Sequence, residues 1–164
     1  MAKETNLMKA MLLKQVAPVH KNSFVLENIT IPSPGDKEIL VKVKACGVCH
    51  TELDEIEGRL TPPKLPVILG HEIVGEVVKR GAVAYRYQIG QRVGIAWINW
   101  ACGHCSSCKR EYENLCAEAK WTGYSANGGY AQYAVVSEDF AYPIPSLFSD
   151  TEAAPLLCAG VVGY

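Results

Sequence analysis

Four cysteines within a short stretch constrain this chain more than any other feature. It reads Cys102-Gly-His-Cys105-Ser-Ser-Cys108-Lys-Arg-Glu-Tyr-Glu-Asn-Leu-Cys116, a Cys-x2-Cys-x2-Cys-x7-Cys spacing. Four thiolates so close together make a cage of soft ligands, suited to tetrahedral Zn²⁺ or to an iron–sulfur cluster. Bacterial ferredoxin ligands run Cys-x2-Cys-x2-Cys-x3-Cys-Pro, whereas here the last gap is seven residues and Ala117 follows. The metal-free alternatives are two disulfides or four idle thiols. Ligand type and spacing favour zinc. A four-sulfur zinc site has no open coordination position, so this one is expected to be structural, and its lobe (residues 100–118) should not fold without metal.

Seven cysteines less these four leave Cys46, Cys49 and Cys158. Closely spaced cysteines in a chain without an export signal point to metal rather than disulfides, and to a reducing cytoplasm. The opening residues carry charges of both signs, and Lys9 interrupts their only short apolar run, which makes a poor signal peptide. No stretch reaches the ~18 apolar residues of a membrane span. Sixteen basic residues against seventeen acidic ones leave a net charge of −1, with no electrostatic footprint for nucleic acid or acidic membranes. At 164 residues and 49% hydrophobic, the chain is the length of one domain with a sizeable core.

Patterning predicts a mainly β domain. Residues 8–16 and 23–31 read as strands separated by a turn at residues 18–22, and residues 32–36 as a loop. From Ile39 to Ala45 the chain alternates, with Val41, Val43 and Ala45 facing one way and Lys42 and Lys44 the other. A short helix is expected from His50 to Glu57, closed by Gly58, and residues 62–66 form a stiff proline-rich connector. Strands are predicted over 72–79, with a bulge or close backbone approach at Gly75, over 91–97, and over 130–136 after a tight turn. Ser149 and Glu152 fit a capping box. Beyond it, Pro155 interrupts or restarts a helix over residues 156–164. His20, in a loop, and His104, between two cysteines, are expected to be exposed.

Taken alone, Gly70-His71-Glu72 is weak evidence, since a core or surface histidine beside an acid is common. Four motifs together say more. Gly70-His71-Glu72-x2-Gly75-x5-Gly81, Gly47-Val48-Cys49-His50-Thr51, the four-cysteine lobe and Ala153-Ala-Pro-Leu-Leu-Cys158-Ala-Gly160 follow one another as in the zinc-containing alcohol dehydrogenases of the medium-chain dehydrogenase/reductase family. The chain resembles that family from about Met8 to its last residue. The resemblance implies Cys49, His71 and Cys158 as ligands of a catalytic zinc, a three-ligand set with an open position for which alcohol dehydrogenase is itself the standard example. Zinc there acts as a Lewis acid on an alcohol or carbonyl oxygen, while hydride passes to or from NAD or NADP. By the same resemblance Thr51 passes the substrate proton outward, His50 contacts the cofactor pyrophosphate, Glu72 lies behind the zinc and Trp97 walls the substrate pocket.

There are two departures. After Thr51 the family usually has Asp, where this chain has Glu52, one methylene longer, in a position to orient the metal ligands. Where many relatives end the proton relay with histidine stands Asp54, so either Asp54 takes that part or protons leave by water. Cys46 matches no family role and reads as a buried strand thiol.

The implied fold is a GroES-like, partly open antiparallel β-barrel over residues 1–150 carrying the zinc lobe, with residues 151–164 starting a connecting helix. The family's Rossmann domain needs a Gly-x-Gly-x-x-Gly turn, and none of the fourteen glycines forms even a Gly-x-Gly pair. The expectation is therefore the catalytic domain of an alcohol dehydrogenase with two zinc ions, acting on a small alcohol or its aldehyde or ketone. A dimer or tetramer is expected at full length, with residues 1–164 inactive alone. The rivals are a non-enzymatic zinc module or scaffold and an iron–sulfur electron carrier.

Overall fold

The first two apolar segments pair with each other. β1 (Leu7–Leu13) and β2 (Phe24–Thr30) form an antiparallel hairpin whose register holds from Leu7↔Thr30 to Leu13↔Phe24. Met8, Ala10 and Leu12 point inward from β1 with the period of two that one buried face demands. β4 (Val67–Ile68) pairs along the other side of β1. The computed structural model describes residues 6–21 and 23–163. Residues 1–5 of the stretch read for a leader, Asn22 of the predicted turn and the closing Tyr164 lie outside the described residues.

The alternating stretch is β3 (Glu38–Cys46), set in a five-stranded antiparallel sheet. Its companions are β5 (Ile73–Arg80), β6 (Arg92–Ile95), β9 (Tyr133–Ser137) and β10 (Ala141–Pro143), in the order β10-β6-β5-β3-β9. Ile39, Val41, Ile73, Val77, Val93 and Ile95, all fully buried, form the main core. The two sheets join where the Met11 amide donates to the Tyr130 carbonyl and Ala10 bridges Ala131, which curls them into a half-barrel. Among the described residues no helix is long and apolar enough to cross a membrane.

Gly75 lies where the predicted close approach occurs. The β3–β5 register shifts on either side of its partner Val43, and a Cβ at Gly75 would stand 2.4 Å from the Lys42 carbonyl oxygen. Backbone cannot yield as a side-chain tip can. Gly75→Ala is therefore expected to destabilise the protein by about 1–3 kcal/mol, read as a lower midpoint of urea unfolding at unchanged slope. An unchanged midpoint would show that β3 gives way freely.

Three elements depart from expectation. The strand predicted over 91–97 ends at Ile95, and Ile98–Trp100 (β7) pairs instead with Lys120–Trp121 (β8) in a separate ribbon. The chain changes sheets at Ala96–Trp97, a switch that no local pattern announces. The strand over 130–136 begins at Tyr133, because Tyr130 and Ala131 are taken by β1. At the C-terminal end the capping box is present, and α2 (Asp150–Ala153) follows it. The helix predicted over 156–164 does not run through, however. A 3₁₀ turn over Ala154–Leu157 ends at Cys158, whose φ of −133° and ψ of −81° break the helix before α3 (Ala159–Val162). Pro155 lacks the N–H needed for a regular α-helical turn. The Val74 side of β5 packs on Ala153 and Ala154, and Arg92 donates to Asp150 at 2.7 Å, which anchors this segment against the sheet.

Candidate metal centres

In the cysteine lobe, two short 3₁₀ turns, Cys108–Arg110 and Glu113–Leu115, fold the loop back on itself. Glu111 between them takes the left-handed conformation (φ 62°), a rare state for a residue with a Cβ, and this reverses the chain toward Cys116. The four sulfurs converge within 4.8 Å of one another. Cys102 and Cys108 are 3.9 Å apart and Cys105 and Cys108 3.5 Å. Tetrahedral zinc with Zn–S bonds of ~2.3 Å separates its sulfurs by about 3.8 Å, so the cage fits the ion, and all four thiols are free of disulfides. The amides of Cys105 and Cys108 donate to the sulfurs of Cys102 and Cys105 at 3.4 and 3.5 Å. Such donors favour thiolate; the Cys108 amide above all brings the Cys105 thiol down to about 7.

The second centre draws on three distant segments. Cys49 is the N-cap of α1 (His50–Glu57), and Gly58 closes that helix in the left-handed conformation (φ 82°). The helix starts with a capping box in which the Cys49 sulfur faces the Glu52 amide and the Cys49 amide donates to Glu52 Oε2 at 2.7 Å. The other oxygen of that carboxylate, Oε1, stands 2.7 Å from Nδ1 of His71. The two atoms are in ion-pair contact, and neither makes a hydrogen bond of good geometry with any described residue. Glu52 and His71 are 2% and 1% exposed. The longer acid at position 52 thus reaches both the Cys49 amide and the His71 ring at once. With Nδ1 engaged, Nε2 is the nitrogen left for a metal.

The break at Cys158 brings its sulfur to 3.8 Å from that of Cys49, again the spacing of two sulfurs on one tetrahedral ion. Ligand atoms of Cys49, His71, Cys158 and Glu72 all lie within 4.8 Å of one another. Two sulfurs and an imidazole are donors that zinc accepts readily, so this set fits the ion as well. Burial opposes a charged His71, but the Glu52 carboxylate outweighs it and raises the imidazolium's pKa above the ordinary value. Burial raises Glu72, and pushes the Cys158 thiol up to about 11. Cys49 moves the other way: burial opposes ionisation, yet the amide and hydroxyl of Thr51 prevail and lower it.

The remaining predicted residues fall around this centre unevenly. Thr51 Oγ1 lies 3.5 Å from the Cys49 sulfur. His50 is exposed, with Nδ1 3.4 Å from Asp54, and Asp54 is also paired with Arg59, chiefly whose hydrogen bond holds its carboxyl below the usual range. Trp97 meets the His71 ring edge-on at 5.0 Å. Trp121 stacks on Trp97 at 5.7 Å and Tyr124 tilts against it at 6.1 Å; sequence reasoning missed both, because nothing local ties the β8 turn to His71. Cys46 is half-buried at the end of β3, and burial pushes its thiol up to about 12. His20 and His104 are exposed as expected.

Residues 35–146 match the family described as the alcohol dehydrogenase GroES-like domain. The chain is 42% identical over 158 residues to an alcohol dehydrogenase of Geobacillus stearothermophilus, a match covering 96% of this chain and 46% of that protein. Among solved structures it resembles a cobalt- and zinc-bound thermostable alcohol dehydrogenase from Pyrobaculum aerophilum (TM-score 0.82, 28% identity, 92% of this chain and 44% of that one). It also resembles an acetophenone reductase from Geotrichum candidum in complex with NAD (TM-score 0.82, 28% identity, 95% and 45%). The chain spans about half the length of the curated relatives it matches.

Proposed function

The chain belongs to the alcohol dehydrogenase GroES-like domain family, and from that premise we propose that it forms the catalytic domain of a zinc-dependent alcohol dehydrogenase, interconverting an alcohol and its aldehyde or ketone with NAD or NADP. One observation carries this reading: Cys49, His71 and Cys158, from three segments far apart in sequence, bring two sulfurs and a nitrogen to one point, while a separate four-sulfur cage is closed on itself. A Zn²⁺ held by the three residues supplies Lewis acidity toward the substrate oxygen. Glu52 fixes the His71 ring and its tautomer. Thr51, at the start of α1, offers a hydroxyl that can accept the substrate proton and hand it outward, to Asp54 or to water, while the exposed His50 is left to contact the cofactor pyrophosphate. Trp97, Trp121 and Tyr124 present an aromatic wall that orients an apolar substituent and excludes water.

In this reading residues 1–150 form the substrate and metal unit and residues 151–164 lead out of it. Hydride transfer also requires the nicotinamide to be held against the substrate carbon. No Gly-x-Gly pair occurs in the sequence, so in this reading that task falls to a dinucleotide-binding unit outside these residues, and residues 1–164 alone are expected to be inactive.

The test combines metal content with the proton path in the complete protein. Elemental analysis should find two zinc ions per chain, and Thr51→Ala should retain both while lowering turnover roughly 10²-fold or more. Thr51→Ser, which keeps the hydroxyl, should be mild. One zinc or none would refute the two-centre reading, and equal turnover for Thr51→Ala and the parent would remove Thr51 from the reaction.

A further inference from the structure

Helix α1 carries a second buried acid to which nothing above gives a task. Glu55 is 0% exposed, and neither of its carboxyl oxygens has a hydrogen-bond partner among the described residues. A carboxyl in that position is costly in either state and costliest as an anion. Glu52 stands three residues earlier, on the same helix face and one turn away. Burial first, and the Glu52 charge second, push the Glu55 acid up to about 8, so near neutral pH it keeps its proton and can donate. The charges of His71, Cys49 and Asp54 also reach it, and its own reaches Tyr130, whose hydroxyl donates to the Gly47 carbonyl at 3.4 Å. The Glu52 oxygen facing His71 makes no hydrogen bond with any described residue, although a carboxylate oxygen can accept more than one. A buried donor and a buried acceptor on one helix face, not directly bonded, are the setting in which a protein encloses a water.

We propose that Glu55 is a positioning residue for the second metal centre: it donates its carboxyl proton in a hydrogen bond, across one buried water, to the Glu52 carboxylate, and so holds that carboxylate between the Cys49 amide and the His71 ring. The inference rests on the reading of Cys49, His71 and Cys158 as ligands of one metal. An ionised Glu55 would instead face Glu52 as a like charge and push it off His71. Glu55 needs no contact with substrate to matter; it acts through Glu52.

The experiment uses the purified protein, with Zn²⁺ as the probe and a chromophoric chelator as competitor. Glu55→Gln keeps the shape and a donor, and should hold the more labile zinc as the parent does. Glu55→Leu fills the space but donates nothing, and should weaken that zinc about 10- to 100-fold, the range for losing an outer partner of a metal ligand. If Glu55 were merely a buried acid, leucine would be neutral or stabilising for the fold and would leave zinc affinity alone; that result overturns the proposal. A parent without a labile zinc overturns the metal reading itself, and this inference with it. Should Glu55→Leu not fold, infrared spectra decide. The parent at pH 7 should show the C=O stretch of a neutral buried carboxylic acid that Glu55→Gln lacks, and identical spectra would overturn the assignment.

Discussion

Cys108→Ser is expected to unfold the lobe around Cys102–Cys116 and leave the β-barrel standing. The lobe has little else to hold it. Its buried apolar residues are Ala101 and the cysteines Cys108 and Cys116 themselves, with Ala119 and Phe140 packed at the side. Its regular structure is two three-residue turns and a ribbon of three- and two-residue strands. Structural zinc contributes on the order of 10–16 kcal/mol of apparent binding at neutral pH, as much as the whole net stability of a typical domain, about 5–15 kcal/mol. Losing one of four thiolates forfeits much of that within a segment that has no core to fall back on. The barrel strands β3 and β5 are paired on both sides and fully buried at Ile39, Val41, Ile73 and Val77, and Phe140 packs on both this core and the lobe cluster. Limited proteolysis with mass spectrometry should therefore find new cuts confined to the lobe, and zinc content should fall by one per chain. In the parent, a mild chelator should empty the proposed Cys49–His71–Cys158 centre first, since those residues come from three segments. A Cys108→Ser protein that resists protease and keeps its full zinc would show that the loop folds on its own contacts.

Local chemistry announced what local chemistry decides. The cysteine spacing from Cys102 to Cys116 needs no tertiary information, and neither does a helix bounded by Cys49 and Gly58, the alternation of β3, or Gly75 in a strand that must approach its neighbour closely. The features that escaped are those settled by distant partners. Trp97 reads as the end of one strand, yet it stands where the chain leaves one sheet for another, and only that switch places it edge-on to His71. Cys158 reads as a helix residue, but packing of Ala153 and Ala154 on Val74 fixes the segment so that the break falls at Cys158. The sequence His50-Thr-Glu-Leu-Asp-Glu-Ile-Glu57 gives a short helix but does not say how deeply its acids lie. That Glu52 and Glu55 are buried while Asp54 and Glu57 meet Arg59 outside depends on which face the barrel covers.

Glu52 is where these levels meet, and Glu52→Ala is expected to damage fold and metal site together. One carboxylate serves two segments of the proposed centre: Oε2 accepts the Cys49 amide at 2.7 Å and Oε1 faces His71 Nδ1 at 2.7 Å. Removing it strips a helix of its capping box, costing about 0.5–2 kcal/mol. It also leaves a buried imidazole without its partner, for which about 3–5 kcal/mol is typical. The two losses share one side chain, so their sum is an upper bound. The His71 ring, free to turn, should bind its zinc about 10- to 100-fold more weakly. Glu52→Asp separates the two roles. One methylene shorter, on a fixed helix, Asp can reach the Cys49 amide or His71 but not both, and should lose one charged hydrogen bond, about 1.5–3 kcal/mol. Urea unfolding of the metal-loaded proteins, paired with zinc competition at the labile centre, should rank parent above Glu52→Asp above Glu52→Ala in both measurements. If Glu52→Asp equals the parent in both, the two segments are positioned by the backbone alone and the longer acid has no part in joining them.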